Sequence, residues 1–133
     1  MANNGARQPR LHCPCGSGKL HDDCCGPLHS GAARAATAEQ LMRSRFSAFA
    51  VGDAAYLLRS WHSSTRPARL ELDRATQWIR LEILDTQDGG PFHTSGTVRF
   101  RAHYRERGGA AQFMEENSTF SREDGAWVYV SAL

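Results

Sequence analysis

Val98-Arg99-Phe100-Arg101-Ala102-His103-Tyr104-Arg105 alternates apolar and cationic residues over eight positions. Side chains two apart on a strand share a face, so Val98, Phe100, Ala102 and Tyr104 belong to a buried face and the four cations to the other. Upstream, Ile79, Leu81 and Ile83 alternate with Arg80 and Glu82, and Asp88-Gly89-Gly90-Pro91 breaks the chain between the two runs. Downstream, Gly108-Gly109 makes a turn. Residues 112–122 and 126–132 read as two more strands, joined near Asp124-Gly125. Four successive antiparallel strands with one apolar face need something packed on that face.

The preceding residues supply it. Thr37 with Gln40 three positions on has capping-box spacing, Leu41, Met42, Phe46 and Phe49 recur at helical spacing, and Gly52 stands where a helix stops. Asp53 caps a second helix with Ala54, Leu57, Leu58 and Trp61 on one face. A looser helical turn is expected over 70–78. Helices first and strands afterwards give an α+β unit over 37–133, its helices on one face of the sheet. Residues 1–10 read as a loose tail, 11–30 as a compact Cys/His/Gly/Pro-rich segment and 31–36 as a short linker.

At 133 residues and 41% hydrophobic, the chain suits one folded domain with a small appendage. Fifteen of the sixteen basic residues are arginine, but fourteen acids are interleaved and the net charge is +2. No basic run suits a phosphate backbone, so nucleic acid is not the expected partner. No stretch has the length of a signal peptide or a membrane span, and the expected compartment is the cytoplasm.

Thiols stay reduced there, so Cys13, Cys15, Cys24 and Cys25, packed into thirteen residues, point to metal rather than disulfides. Two close pairs separated by a short loop let one tetrahedral zinc ion clamp both ends. Gly16 and Gly18 allow the tight turn after the first pair. A segment this short has no core, so metal binding would supply much of its folding energy. The fourth ligand stays open, because His29, His21 or His12 could replace Cys25. Gly16-Ser17-Gly18-Lys19 is not a phosphate loop. Cys13 stands where that pattern needs its first glycine, and Leu20 where it needs Ser or Thr.

Cys13-Pro14-Cys15-Gly16-Ser17-Gly18-Lys19 followed by Cys24-Cys25-Gly26 resembles the SEC-C motif, the zinc module in the C-terminal tail of the SecA preprotein translocase and in many other bacterial proteins. The resemblance implies Cys13, Cys15, Cys24 and Cys25 as zinc ligands, the last being Cys or His in that family. Leu41-Met42-Arg43-Ser44-Arg45-Phe46-Ser47-Ala48-Phe49, Asp53-Ala54-Ala55-Tyr56-Leu57, Trp61-His62 and Trp127-Val128-Tyr129 resemble the bacterial YchJ-like family of uncharacterised proteins. That likeness spans nearly the whole chain. It implies a domain similar to nuclear transport factor 2 (cystatin-like), a curved sheet wrapped against helices to form a cone with a pocket. The translocase motif is basic between its cysteine pairs and binds the SecB chaperone and the ribosome. Here Leu20-His21-Asp22-Asp23 carries two acids, so a SecB-type contact is not expected.

Cone-shaped folds host enzymes and binding modules alike, so function must be read from the site. Arg45 falls between Leu41 and Phe49 on the apolar helix face, and Glu116 alternates in phase with Met114, Ser118 and Phe120. Two arrangements are open: an Arg45–Glu116 ion pair inside the cone, or Arg45 snorkelling at the edge of the stripe with Glu116 at the rim. Trp61, His62, Trp78 and Trp127 either line a pocket or form core. His62 is the histidine to consider as acid or base, although no orienting carboxylate is evident beside it. Arg99, Arg101, His103 and Arg105 make a basic outer face without a stacking aromatic. The expectation is a zinc-binding module with one structural zinc and a protein- or ligand-binding cone. The alternatives are a small-molecule enzyme using Arg45, His62 and Glu116, and a ribosome- or RNA-associated factor.

Overall fold

The computed structural model describes residues 11–133, so the tail expected over 1–10 lies outside the described residues. Behind a short 3-10 turn (His21–Asp23) come three helices, α1 (Gly26–Ser30), α2 (Ala38–Val51) and α3 (Ala54–Arg59). Four strands follow, β1 (Thr76–Asp88), β2 (Ser95–Glu106), β3 (Ala111–Glu123) and β4 (Ala126–Ala132). They form one antiparallel sheet in the order β1-β2-β3-β4.

The helix boundaries are set by local chemistry. Thr37 Oγ1 accepts the Gln40 N–H at 3.0 Å, Asp53 Oδ1 accepts that of Tyr56 at 3.0 Å, and α2 ends at Gly52 with φ 81°. The helix face carrying Leu41, Met42 and Phe46 packs on Leu81, Val98, Phe100, Ala102, Phe120 and Trp127 of the sheet. A second buried group, Leu28, Ala48, Tyr56 and Leu57, sits between the helices.

The helical turn expected over 70–78 is absent. Residues 70–73 lack regular structure, and Trp78 lies in β1, facing Tyr104. The regular alternation expected for Ile79, Leu81 and Ile83 is also broken. Register shifts between Trp78 and Arg80, and between Ile83 and Asp85, turn Ile79 outward, leaving it 40% exposed while Leu81 is buried. Bulges of this kind bend a strand and increase its twist, which curves the sheet around α2.

The β1–β2 connection abuts the start of α2. Gly89 has φ 75°, and its carbonyl accepts the Ala38 N–H at 2.9 Å. A Cβ on Gly89 would lie 2.8 Å from the Ala38 Cβ, so only glycine fits this corner. The segment 31–36 is tied down as well: Trp127 Nε1 donates to the Ala36 carbonyl at 3.2 Å, and Ala35 packs against both buried groups.

Candidate metal centre and pocket

The knuckle is a tight hairpin. His12 and Leu20 form an antiparallel bridge, the Cys13 N–H donates to the Lys19 carbonyl at 2.8 Å, and Gly16 and Gly18 take φ of 82° and 86° at the tip. The 3-10 turn then returns Cys24 and Cys25 to the first pair, directly ahead of α1. The ligand atoms of Cys13, Cys15, Cys24 and Cys25 all lie within 4.8 Å of one another. Cys15 and Cys24 sulfurs are 3.6 Å apart, and those of Cys24 and Cys25 3.9 Å. Tetrahedral zinc with bonds of about 2.3 Å would set its sulfurs about 3.8 Å apart, so the cluster fits one such ion. All four cysteines are free of disulfides.

The electrostatics agree. Hydrogen bonds from Cys15 and Cys25 hold the Cys13 thiol far below its ordinary range, with the Ser47 hydroxyl adding to the effect at 3.3 Å. Cys25 is pushed upward by its hydrogen bonds to Cys13 and Cys15 and by burial, and Cys24 by burial. Four sulfurs in this volume cannot all be thiolates unless a cation offsets their charge. Of the alternative ligands, His29 is turned away, its Nε2 2.8 Å from the Ser44 carbonyl. His12 is exposed on the hairpin edge, and His21 Nδ1 lies 3.6 Å from the Cys13 sulfur.

The centre is bound to α2. Besides Ser47 and His29, Arg43 Nη1 donates to the Cys15 carbonyl at 2.9 Å, while its Nε holds Glu39 at 3.0 Å. Arg59 Nη2 reaches the Leu28 and His29 carbonyls, with its guanidinium over Tyr56. Sequence reasoning missed Arg43 and Ser47. Their signal was available: they stand four apart, one turn of a helix, on a face that the apolar stripe does not account for.

The opposite side of α2 walls a cavity of about 300 Å³ between helix and sheet. Met42, Phe46, Phe49, Trp78, Phe100 and Met114 make it mainly apolar, and Arg45, Trp61, Glu116, Ser118 and Tyr129 form its polar part. Arg45 is only 4% exposed, which removes the snorkelling arrangement. Its Nη1 donates to the Leu57 carbonyl at 2.8 Å and to Ser60 Oγ at 2.7 Å. Its guanidinium carbon lies 5.0 Å from the Trp61 ring centre and 4.8 Å from that of Tyr129. Burial pulls its pKa down to about 10. The other arrangement left open, an Arg45–Glu116 ion pair, is not formed either. Glu116 lines the same cavity, but its Oε2 accepts the Ser118 hydroxyl at 2.6 Å. The reason is register: Glu116 faces Phe100 in the middle of the sheet, whereas Arg45 is drawn toward the end of α3 by Leu57 and Ser60.

His62 is not among the residues lining the cavity. A carboxylate does stand beside it, with Glu123 Oε2 3.8 Å from its Nε2. Its Nδ1 accepts the Ser64 N–H at 3.0 Å, so the ring organises the loop after α3. Trp61 and Trp78 line the cavity, whereas Trp127 is core. On the outer face, Glu115 pairs with both Arg99 and Arg101 at 3.1 Å, and Glu82 with His103 at 2.5 Å. That face is not free of aromatics: Phe113 lies beneath the Arg101 guanidinium, 4.6 Å from its carbon, since His103 and Phe113 are register partners.

Residues 37–132 match the family described as "YchJ, middle NTF2-like domain". A UPF0225 protein of Streptomyces coelicolor is 59% identical over 121 residues, covering 91% of this chain and 94% of its own. A UPF0225 protein of Corynebacterium glutamicum is 53% identical, covering 88% and 92%. The solution structure of a SEC-C motif containing protein from Rhodopseudomonas palustris superposes with a TM-score of 0.80 at 34% identity, over 92% of this chain and 98% of that one. A crystal structure of a SEC-C motif containing protein from Psychrobacter arcticus gives 0.73 at 27%, over 90% and 80%.

Proposed function

The chain belongs to the YchJ-like UPF0225 family, with a SEC-C motif ahead of an NTF2-like domain, and on that premise we propose that it is a zinc-stabilised binding protein whose cone takes a small ligand. The observation that carries this reading is that α2 joins two sites. Ser47 touches the cysteine cluster, while Arg45 and Phe46 wall the cavity.

Cys13, Cys15, Cys24 and Cys25 would hold one zinc ion. All-thiolate zinc is a closed structural site, and its role here is to fold residues 11–30 onto the helices. Reduced thiols fit the cytoplasm. A protein partner at the knuckle would differ from SecB, because Asp22 and Asp23 replace the basic surface expected for that contact. The 300 Å³ cavity is at the small end of the range for ligand sites.

Metal analysis of protein purified under reducing conditions tests the first half. About one zinc per chain is expected, and Cys15→Ser should lose it. Reduced wild-type protein that retains no zinc from zinc-containing medium would refute the assignment.

A further inference from the structure

Arg45 is a buried cation that the fold uses on one side only. Nη1 serves Leu57 and Ser60, while Nε and Nη2 have no acceptor among the described residues. Neither is sealed off, because the buried polar atoms left without a partner among those residues are Trp61 Nε1 and Arg101 Nε. The free Nε/Nη2 edge carries two parallel N–H groups, the fork that matches one carboxylate. The Trp61 and Tyr129 rings on Arg45 limit its guanidinium to a narrow range of orientations. The indole N–H of Trp61, in the same corner, is buried without a partner and closed to a ligand, so the free edge of Arg45 is the donor that a ligand would meet. A buried charge with unpaired donors is costly, and the polar group that would satisfy it is absent from the described protein residues. Met42, Phe46, Phe49, Trp78 and Phe100 supply apolar wall, which suits a flat apolar body.

We infer that the cavity binds a small planar carboxylate, an aromatic or conjugated acid, with its carboxylate on the free edge of Arg45 and its body against Phe46, Phe49 and Trp78. This rests on the reading of the cone as a ligand-binding domain. Glu116 shares the cavity, so its charge opposes an incoming anion and limits affinity.

The test uses the full zinc-loaded chain and three probes, 2-naphthoate, its methyl ester and 2-naphthol, with the Trp61 and Trp78 indole N–H signals followed by NMR. The acid should bind saturably and about tenfold or more tighter than the ester, because only the acid completes a charged fork. Glu116→Gln should tighten the acid and leave the ester unchanged, and Arg45→Gln should erase the preference for the acid. Equal affinity for acid and ester, or weaker acid binding in Glu116→Gln, would overturn the inference even if Arg45→Gln fails to fold. If none of the three probes shifts either indole at millimolar concentration, the ligand-binding reading falls with it.

Discussion

Replacing Leu28 by alanine tests whether the knuckle and the cone are one cooperative unit. Leu28 follows Cys25 by three residues, is 5% exposed, and packs with Ala48, Tyr56 and Leu57. Truncation removes three carbons from contact, about 2.4 kcal/mol at roughly 0.8 kcal/mol per buried methylene. A residual cavity normally raises such a cost toward 5 kcal/mol. Here Leu28 borders an open cleft with Arg59 and Ala126, where solvent or side chains can move in, so the cavity contribution is small. The expected loss is about 2.5 kcal/mol, or roughly 10 °C in Tm for a chain of this length. Urea denaturation followed by far-UV circular dichroism, with the Phe100 and Tyr56 amides followed by NMR, measures it. A loss under about 0.5 kcal/mol, or one confined to residues 11–30, would refute the single-unit reasoning. It would mean that the α+β unit from Thr37 onward stands without the knuckle, despite the burial of Leu28 against Ala48, Tyr56 and Leu57.

Ser47→Ala removes the hydroxyl beside the Cys13 sulfur and should weaken zinc retention about tenfold to a hundredfold in chelator competition, with the sheet signals unchanged. Unaltered retention would show that the hydroxyl does not support the site. Gly89→Ala places a methyl 2.8 Å from the Ala38 Cβ at φ 75°, and should cost about 1–3 kcal/mol in urea denaturation. A neutral result would mean that the β1–β2 corner can shift. The hydrogen bond from His103, with help from Arg80 and Arg101, holds the Glu82 carboxyl below its ordinary value of 4.5. A depressed folded pKa stabilises above the unfolded value, so this contribution is complete above about pH 4.5 and fades as pH falls through the folded pKa. Glu82→Gln should therefore flatten stability against pH between about 3 and 5, and a profile parallel to wild type would exclude the pairing.

What was legible in the sequence was local or periodic. The caps at Thr37 and Asp53, the β2 alternation and the extent of Ala126–Ala132 follow from chemistry acting within a few residues, and the structure keeps them. The spacing of Cys13, Cys15, Cys24 and Cys25 likewise pointed to one metal, because ligands close in sequence need only a short hairpin to meet. Tertiary structure decided the rest. Trp78 has no local signal strong enough to choose helix or strand, and pairing with β2 chose strand. Bulges reversed Ile79, since a single slipped residue exchanges the two faces. Arg45 and Glu116 both point inward as the pattern implied, yet they do not pair. Periodicity specifies a face, but not which of several buried acceptors a long side chain reaches. The Leu57 carbonyl and the Ser60 hydroxyl lie twelve and fifteen residues away, and only the fold of α3 against α2 brings them to the guanidinium.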